Sequence, residues 1–217
     1  MSFKKRKTTS KATANIKRAM RCFVRISIAS ATVVFLTTIV CGDKVARSGL
    51  SLPDLEGKSV RPLEETGVKA VVFIFARADC PISNRYAPEI RRLSESFKPE
   101  KVRFWLVYPG ANEPVKTIRQ HIREYDYGCE ALRDPRHELV KLTGASVTPE
   151  AAVFISPRTG VKMIYRGRID DQYAAAGKHR PAPTVHDLED TLNAIVKGST
   201  LKFKTTVATG CYISDLE

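Results

Sequence analysis

The sequence contains no acidic residue before Asp43. The same stretch holds nine basic residues, Lys4, Lys5, Arg6, Lys7, Lys11, Lys17, Arg18, Arg21 and Arg25. They account for nine of the formal net charge of +13, which leaves +4 for residues 43–217. The excess charge therefore belongs to the N-terminus, and this argues against nucleic-acid binding by the folded domain. A disordered basic arm for nucleic acid is the competing interpretation of the N-terminus.

The apolar run that follows is short for a transmembrane helix. Residues 26–41 are uncharged and largely apolar, but they number 16, whereas a full span needs about 20 residues. Basic residues followed by such a run are typical of an export signal or a membrane anchor. We therefore predict a basic region at 1–25, a hydrophobic signal or anchor at 26–42, and an exported domain in the periplasm or another extracytoplasmic compartment. Cleavage before Asp43, anchoring in the membrane and lipidation at Cys41 all stay open.

The sequence contains few cysteines, and the predicted domain holds an odd number of them. Of five cysteines, Cys22 and Cys41 precede the predicted domain, which leaves Cys80, Cys129 and Cys211 within it. Three cysteines in an exported domain leave at least one thiol free, or allow disulfides to exchange among them. An oxidising compartment makes disulfide chemistry possible. With 217 residues, 43% of them hydrophobic, the chain can bury one good core.

Cys80 lies where a strand pattern gives way to a helix pattern. Residues 70–76 form an unbroken apolar run, which predicts a strand buried on both faces. Pro81 suits the first turn of a helix, and apolar side chains then recur every three or four residues, at Ile82, Tyr86, Ile90, Leu93 and Phe97. Unpaired N–H groups and the positive end of the helix dipole favour a thiolate there. We expect Cys80 to face solvent as a reactive thiol; a buried structural cysteine is the alternative.

Charged neighbours of this thiol act in both directions. Asp79 opposes its ionisation by like-charge repulsion, and an arginine that points inward would offset that effect. The candidates are Arg77, Arg85, Arg166 and Arg168. Arg168 belongs to the segment 166–171, which we expect either to lie near the site or to form a solvated charged turn.

The rest of the chain alternates between strand and helix patterns and shows no internal repeat. Strands are predicted at 102–108, 129–132, 151–155 and 161–165, and helices after Pro114, around Leu139 and after Thr184. This alternation predicts an α/β fold with helices on both faces of a largely parallel sheet, which an antiparallel pair after Pro149 closes.

Local motifs and the order of elements resemble the redoxin branch of the thioredoxin fold, which includes the alkyl hydroperoxide reductase/thiol-specific antioxidant (AhpC/TSA) family. The motifs are Cys80-Pro81-Ile82-Ser83, the mid-helix pair Ala87-Pro88, and Thr148-Pro149 before a strand. The resemblance covers about residues 48–197 and leaves a C-terminal extension at 198–217. It implies a thioredoxin-like three-layer sandwich with a central mixed sheet and helices on both faces.

The resemblance also implies roles for site residues. Pro149 would be cis, and its loop would face Cys80, so that Thr148 can pair with an incoming peptide or cap the sulfur. Pro81 and Ser83 would help to shape the site. Arg168 is a further candidate, because its segment follows the last predicted strand of the sheet. The alternative for Pro149 is an ordinary proline at the start of a strand.

Two departures limit what the resemblance carries over. Peroxiredoxins of this kind have the pattern Pro-x-x-x-Thr/Ser-x-x-Cys. In this sequence Phe73 stands at the proline position and Arg77 at the Thr/Ser position. Dithiol oxidoreductases have a second cysteine where this chain has Ser83. Cys80 therefore needs a resolving thiol from elsewhere, and we predict Cys211, with Cys129 as the second candidate.

Our hypothesis is an exported redoxin that reduces disulfides or peroxides through Cys80 and Cys211, without a cofactor or metal. Its partners would be protein thiols and disulfides or peroxides, together with a thiol electron donor. A redox-inactive module that binds extended peptides near Pro149 is the main alternative. A copper chaperone is a weaker one, because Ala76 stands where its first cysteine would be. The histidines lack ligand spacing and are expected at the surface; they are His121, His137, His179 and His186.

Overall fold

A computed structural model of the protein describes residues 49–156, 160–175 and 178–214. The predicted basic region and the predicted signal or anchor lie outside these residues. Within the described ranges, no helix has both the length and the apolar character that crossing a membrane requires.

The described ranges contain four α-helices, one short 3-10 helix and twelve strands. The helices are α1 (Pro81–Phe97), α2 (Val115–Tyr125), α3 (Glu138–Thr143) and α4 (Asp187–Val196), and the 3-10 helix is Pro62–Glu64. The strands are β1 (Leu52–Pro53), β2 (Ser59–Val60), β3 (Ala70–Phe75), β4 (Val102–Tyr108), β5 (Glu130–Arg133), β6 (Val147–Thr148), β7 (Glu150–Ile155), β8 (Lys162–Gly167), β9 (Tyr173–Ala175), β10 (Lys178–His179), β11 (Lys204–Thr205) and β12 (Cys211–Tyr212).

A mixed sheet forms the middle layer, in the strand order β11-β8-β7-β3-β4-β5. Strand β3 is parallel to β4 and antiparallel to β7, and each of its six residues is buried. Such a strand is covered on both faces, as the apolar run of residues 70–76 predicts. Strands β7 and β8 form the antiparallel pair that was predicted after Pro149.

Helices cover both faces of this sheet, and alternate residues of β3 point to the two sides. Val72 and Ile74 pack with the apolar faces of α1, α2 and α4 in one core cluster. Phe73 and Phe75 pack with α3, the 3-10 helix and β1 in the other. The three-layer α/β fold class is therefore confirmed. The large apolar area that this arrangement removes from water is the main stabilising contribution to the fold.

The segment 166–171 is largely buried and does not form a solvated charged turn. Asp170 accepts a hydrogen bond from the Tyr86 hydroxyl of α1, and Asp171 accepts the backbone N–H groups of Thr184 and Val185. Asp170 is 2% exposed and Asp171 is 5% exposed. The acidic pair therefore ties the end of β8 to α1 and to the entrance of α4.

The chain beyond α4 returns to the domain. Strand β11 pairs in parallel with β8 and forms one edge of the mixed sheet, and β12 pairs antiparallel with β6. Ile213 is 5% exposed and packs in the same cluster as α3. This C-terminal segment brings Cys211, the predicted resolving thiol, to the end of the sheet that holds Cys80.

Candidate active site

Cys80 is the N-cap residue of α1, as predicted. Its backbone is extended, with φ −92° and ψ 107°, and its carbonyl accepts the Asn84 N–H at 3.1 Å. The Ser83 N–H points at the sulfur, with an N···Sγ distance of 3.5 Å. Pro81 follows directly, and because it has no N–H it adds no unpaired donor to the first turn. The helix start therefore offers a backbone donor to a sulfur anion.

The expectation that the Cys80 sulfur faces solvent is wrong, because this residue is 0% exposed. Its Sγ lies 2.9 Å from the carbonyl oxygen of Thr148, and the thiol of Cys211 is close enough to lower the pKa of Cys80. The groups around the sulfur therefore include a backbone carbonyl and a second thiol. Thr148 is 68 residues away along the chain, and Cys211 is further still. Local sequence patterns do not encode contacts over such separations.

The loop that carries the Thr148 carbonyl contains a cis peptide bond between Thr148 and Pro149, as the family resemblance implies. Glu150 fixes this loop, because its buried carboxylate accepts the N–H groups of Ser146 at 2.8 Å and Val147 at 3.4 Å. Burial raises the pKa of Glu150, while these bonds and Arg166 favour its charged form. The sequence analysis missed Glu150; its signal was an acid at the start of an otherwise apolar strand.

The C-terminal segment lies across the same loop. Cys211 pairs with Thr148 and Tyr212 with Val147 in the β12–β6 ladder. The Ile213 N–H extends this pairing by donating to the Ser146 carbonyl at 3.0 Å. Because of this pairing, Cys211 is held beside Cys80 by backbone hydrogen bonds and not by a flexible linker.

The two thiols differ in acidity. Burial acts to raise the pKa of Cys80, but the Cys211 thiol, the Ser83 hydroxyl and N–H, and the Thr148 side chain favour the thiolate and outweigh it, so that its pKa lies below the usual value. Burial, the hydrogen bond to Cys80 and the charge of Cys80 raise the pKa of Cys211 to about 12. A protonated Cys80 donates to the Thr148 carbonyl, whereas an ionised Cys80 accepts from the thiol of Cys211. The thiolate of the pair therefore resides on Cys80.

Ser83 is buried beside the Cys80 sulfur. Its hydroxyl makes no well-aligned hydrogen bond within the described part of the chain, but it is close enough to Cys80 to favour the thiolate. A hydroxyl can rotate to donate to that anion. Tyr127, which the sequence analysis also missed, fixes this turn by donating its hydroxyl to the Ser83 carbonyl at 2.9 Å.

Charged residues line a cleft of about 460 Å³, whose wall includes Asp79, the residue before Cys80. Arg77 pairs with Asp79 at 2.7 Å and donates to the Tyr212 carbonyl at 3.1 Å. Arg77 is thus the arginine, among the four candidates, that neutralises Asp79. Glu113 accepts the Ala78 N–H at 3.0 Å, and burial raises its pKa. A carboxyl of raised pKa at the rim can carry a proton.

Other candidates lie apart from this group. Arg168 pairs with Asp187 at 2.7 Å, and its contacts within the described residues do not include Cys80. Cys129 contacts Ser94 and the Tyr127 carbonyl, and burial raises its pKa. The structure brings together Cys80, Pro81, Ser83, Thr148, Pro149 and Cys211, and it leaves out Arg168 and Cys129.

Two of the histidines are buried, contrary to the expectation of surface positions. The ring of His121 lies between the Tyr108 hydroxyl at 2.8 Å and the Asn84 side chain at 2.7 Å. Burial lowers the pKa of His121. His137 is 5% exposed and is 2.8 Å from the Pro109 carbonyl. These contacts give both rings structural roles.

Among the residues that the structure describes, one cluster has ligand atoms close enough to one another to hold a metal ion. It consists of Glu89, His186 and Glu189. Arg92 already bridges the two carboxylates, at 2.7 Å from Glu89 and 2.6 Å from Glu189. The arginine supplies the positive charge that a metal would bring.

The model of the AhpC/TSA family matches residues 42–164, which is more than half of the chain. The chain belongs to the AhpC/TSA family. No curated protein matches it in sequence. The matched range of this AhpC/TSA member contains Cys80, Thr148 and Pro149, whereas Cys211 lies beyond it.

Solved structures support the same fold for this AhpC/TSA member. A hypothetical protein from Sinorhizobium meliloti matches with a TM-score of 0.65 and 21% identity, over 78% of this chain and 92% of that one. An uncharacterized conserved protein from Geobacillus kaustophilus matches with a TM-score of 0.62 and 22% identity, over 80% and 93%. The C-terminal domain of a candidate thiol-disulfide oxidoreductase from Bacteroides thetaiotaomicron matches with a TM-score of 0.54 and 14% identity, over 72% and 97%. These likenesses confirm the thioredoxin-like fold.

Proposed function

We propose that this protein is an exported thiol–disulfide oxidoreductase in which Cys80 is the nucleophile and Cys211 the resolving thiol. One observation carries the proposal: the β12–β6 ladder sets Cys211 opposite Thr148, whose carbonyl lies 2.9 Å from the Cys80 sulfur. The lower pKa of the two thiols belongs to the one at the helix N-terminus. Pro81, Ser83, Thr148 and Pro149 shape the site around them. The contacts of Arg168 give it no part in this proposal.

The reaction consumes one disulfide and two thiols. The Cys80 thiolate attacks one sulfur of a client disulfide, that S–S bond breaks, and a client thiolate leaves. Cys211 then loses its proton and attacks the Cys80 sulfur, which releases the second client thiolate and forms a Cys80–Cys211 disulfide. Two electrons pass from the enzyme to the client, and two protons complete the client thiols. An external dithiol reduces the enzyme again.

The two steps are ordered by the charge on Cys80. While Cys80 is a thiolate, its charge and hydrogen bond hold the pKa of Cys211 high. Formation of the mixed disulfide removes that charge, so one cause of the high pKa of Cys211 disappears. Cys211 therefore becomes easier to ionise only when it has a disulfide to attack.

Peroxide reduction is the second candidate, because the matching family includes peroxide reductases by name. In that case the Cys80 thiolate attacks one oxygen of the peroxide, the O–O bond breaks, and water or an alcohol leaves, so that Cys80 becomes a sulfenic acid. The sulfenic acid condenses with Cys211 to a disulfide and releases water. The side chain that stands where such enzymes place an orienting hydroxyl is Arg77, and it is engaged with Asp79 and Tyr212. The geometry therefore favours a disulfide as substrate.

We also propose that residues 1–25 and 26–42 direct export, that 48–197 form the redoxin domain, and that 198–217 form the extension. The support for export is the order of a basic stretch and an uncharged apolar run. An extracytoplasmic location would supply client disulfides.

The test compares purified full chains in two assays, reduction of insulin disulfides by a dithiol and consumption of hydrogen peroxide. We expect turnover in the insulin assay and its loss in Cys80→Ser. Cys211→Ser should accumulate mixed disulfides without turnover, and Cys129→Ser should retain wild-type activity. Mass spectrometry of the oxidised protein should show a Cys80–Cys211 bridge.

Each other outcome points to a different function. Rapid peroxide consumption with weak insulin reduction would favour the peroxidase. An unmodified Cys80 in both assays, with retained binding of unfolded peptides, would favour the redox-inactive module.

A further inference from the structure

The contacts that hold the C-terminal segment in the site are mostly backbone contacts. Strand β12 pairs with β6 in an antiparallel register, and the Ile213 N–H continues it to Ser146. Arg77 binds the Tyr212 carbonyl and not its side chain. Backbone pairing of this kind accepts any extended segment that adds itself as a strand.

Two positions of this segment restrict which residue can occupy them, and a third does not. A Cβ atom on Gly210 would lie 2.6 Å from the carbonyl carbon of Thr148 and closer still to its oxygen, so no other residue fits without moving the loop. Ile213 is 5% exposed and packs in the core. Tyr212 is 80% exposed and contributes no specificity. The site therefore fits the pattern Gly-Cys-x-aliphatic.

We propose that residues 208–214 are an internal copy of the client, and that the site selects extended cysteine-bearing segments with glycine directly before the cysteine. This inference rests on the proposed function. A client that binds in the register of β12 places its sulfur where Cys211 now lies against Cys80, and the backbone at its glycine passes the Thr148 carbonyl.

Client and C-terminal segment then take turns in one groove. A client disulfide reaches Cys80 only when residues 208–214 leave β6. The mixed disulfide forms with loss of one client thiolate, and the returning segment brings Cys211 to the Cys80 sulfur. That attack releases the second client thiolate, and the incoming strand displaces the client backbone from Thr148. The enzyme ends as the Cys80–Cys211 disulfide, which an external dithiol reduces.

The test uses the full-length Cys211→Ser variant, which has Cys80 but cannot form the internal disulfide. The probe is the peptide Val-Ala-Thr-Gly-Cys-Tyr-Ile-Ser, whose cysteine carries 2-thiopyridine as a mixed disulfide. Attack by Cys80 forms the enzyme–peptide disulfide and releases thiopyridone, whose absorbance gives the rate. A Cys80→Ser/Cys211→Ser variant gives the background from the remaining cysteines.

We expect the peptide with alanine in place of glycine to react at least about tenfold more slowly, the ratio that 1.4 kcal/mol produces. Serine in place of the isoleucine should also slow the reaction, whereas alanine in place of the tyrosine should not. Adding Gly210→Ala to the Cys211→Ser protein should accelerate the reaction of the glycine peptide, because the internal competitor fits poorly while the client still fits. A glycine needed only for folding would give no such acceleration.

Equal rates for the glycine and alanine peptides would overturn the inference. If a cysteamine–thiopyridine disulfide also reacts, the proposed function survives that result and only the selectivity is lost. If Cys80 reacts neither with this small disulfide nor with any peptide, both proposals fail.

Discussion

At the scale of single residues, the site depends on which of its two thiols, Cys80 or Cys211, loses its proton more readily. The Cys80 sulfur is buried, and burial alone disfavours its charged form. Hydrogen bonds reverse that preference, and Cys211 gives the largest of them. In the proposed reaction Cys211 therefore has a role before it attacks the mixed disulfide, since its thiol lowers the pKa of Cys80.

Cys211→Ala should therefore raise the pKa of Cys80. The thiolate forms as pH rises through this pKa, so removal of the donor moves the rise in reactivity to higher pH. The measurement is the rate of reaction with a small thiopyridyl disulfide as a function of pH. Cys129→Ala is the matched control and should leave the profile unchanged. A midpoint unchanged in Cys211→Ala would show that its thiol does not stabilise the anion.

Ser83 offers a second test, because it occupies the place of a local resolving cysteine. In a Cys211→Ser background, Ser83→Cys should restore insulin reduction, since a thiol one helical turn from Cys80 can attack its mixed disulfide. Ser83→Ala in the same background should not restore it. Mass spectrometry of the first variant should find a disulfide between Cys80 and the introduced thiol; its absence in an oxidised, folded sample would contradict the geometry.

At the scale of elements, the loop before β7 is held by one buried carboxylate. Glu150 accepts two backbone N–H groups of the β6 loop and lies 3.6 Å from the Arg166 guanidinium. The loop in turn carries both the Thr148 carbonyl and the pairing edge for β12. The position of Cys211 therefore depends on a residue that never touches it.

Glu150→Ala should reduce the free energy of unfolding by about 1–3 kcal/mol, the usual cost of leaving buried polar groups without partners. The check is urea denaturation of the purified protein. Glu130→Ala is the control, because its ion pair with Arg103 is exposed and such pairs contribute about 0–1 kcal/mol. Equal losses in the two variants would refute the structural role of Glu150.

The sequence predicted the elements whose causes are local and missed those whose causes are distant. The β3 run and the spacing of apolar residues in α1 are properties of neighbouring residues, and both predictions are confirmed. Strand pairing between Thr148 and Cys211 places the groups that bury Cys80. The ion-pair partner of Arg168 is Asp187. No periodicity within either segment encodes those partners.

At the scale of the whole molecule, charge and apolar character are divided along the chain. The N-terminal stretch carries nine of the thirteen net positive charges and precedes the uncharged run at 26–41. The proposal of export requires this run to enter the membrane, and a charge near its centre is unfavourable by about 2.5–3.5 kcal/mol.

Leu36→Arg should therefore retain the protein in the cytoplasm, whereas Leu36→Val should be exported normally. The measurement is labelling of intact cells with a membrane-impermeant thiol reagent after brief reduction and unfolding at the surface, followed by detection of Cys129. Equal labelling of the two variants would contradict an export role for this segment.

The packing of Ile213 in the core controls the access of reagents to the Cys80 thiol. A reagent reaches the sulfur of Cys80 only while the last described strand is lifted, so the labelling rate of this thiol measures how often that strand opens. Between openings the sulfur is shielded from oxidants in the surrounding solution. In the proposed reaction, the movement that admits a client also sets how long the thiol is exposed to them.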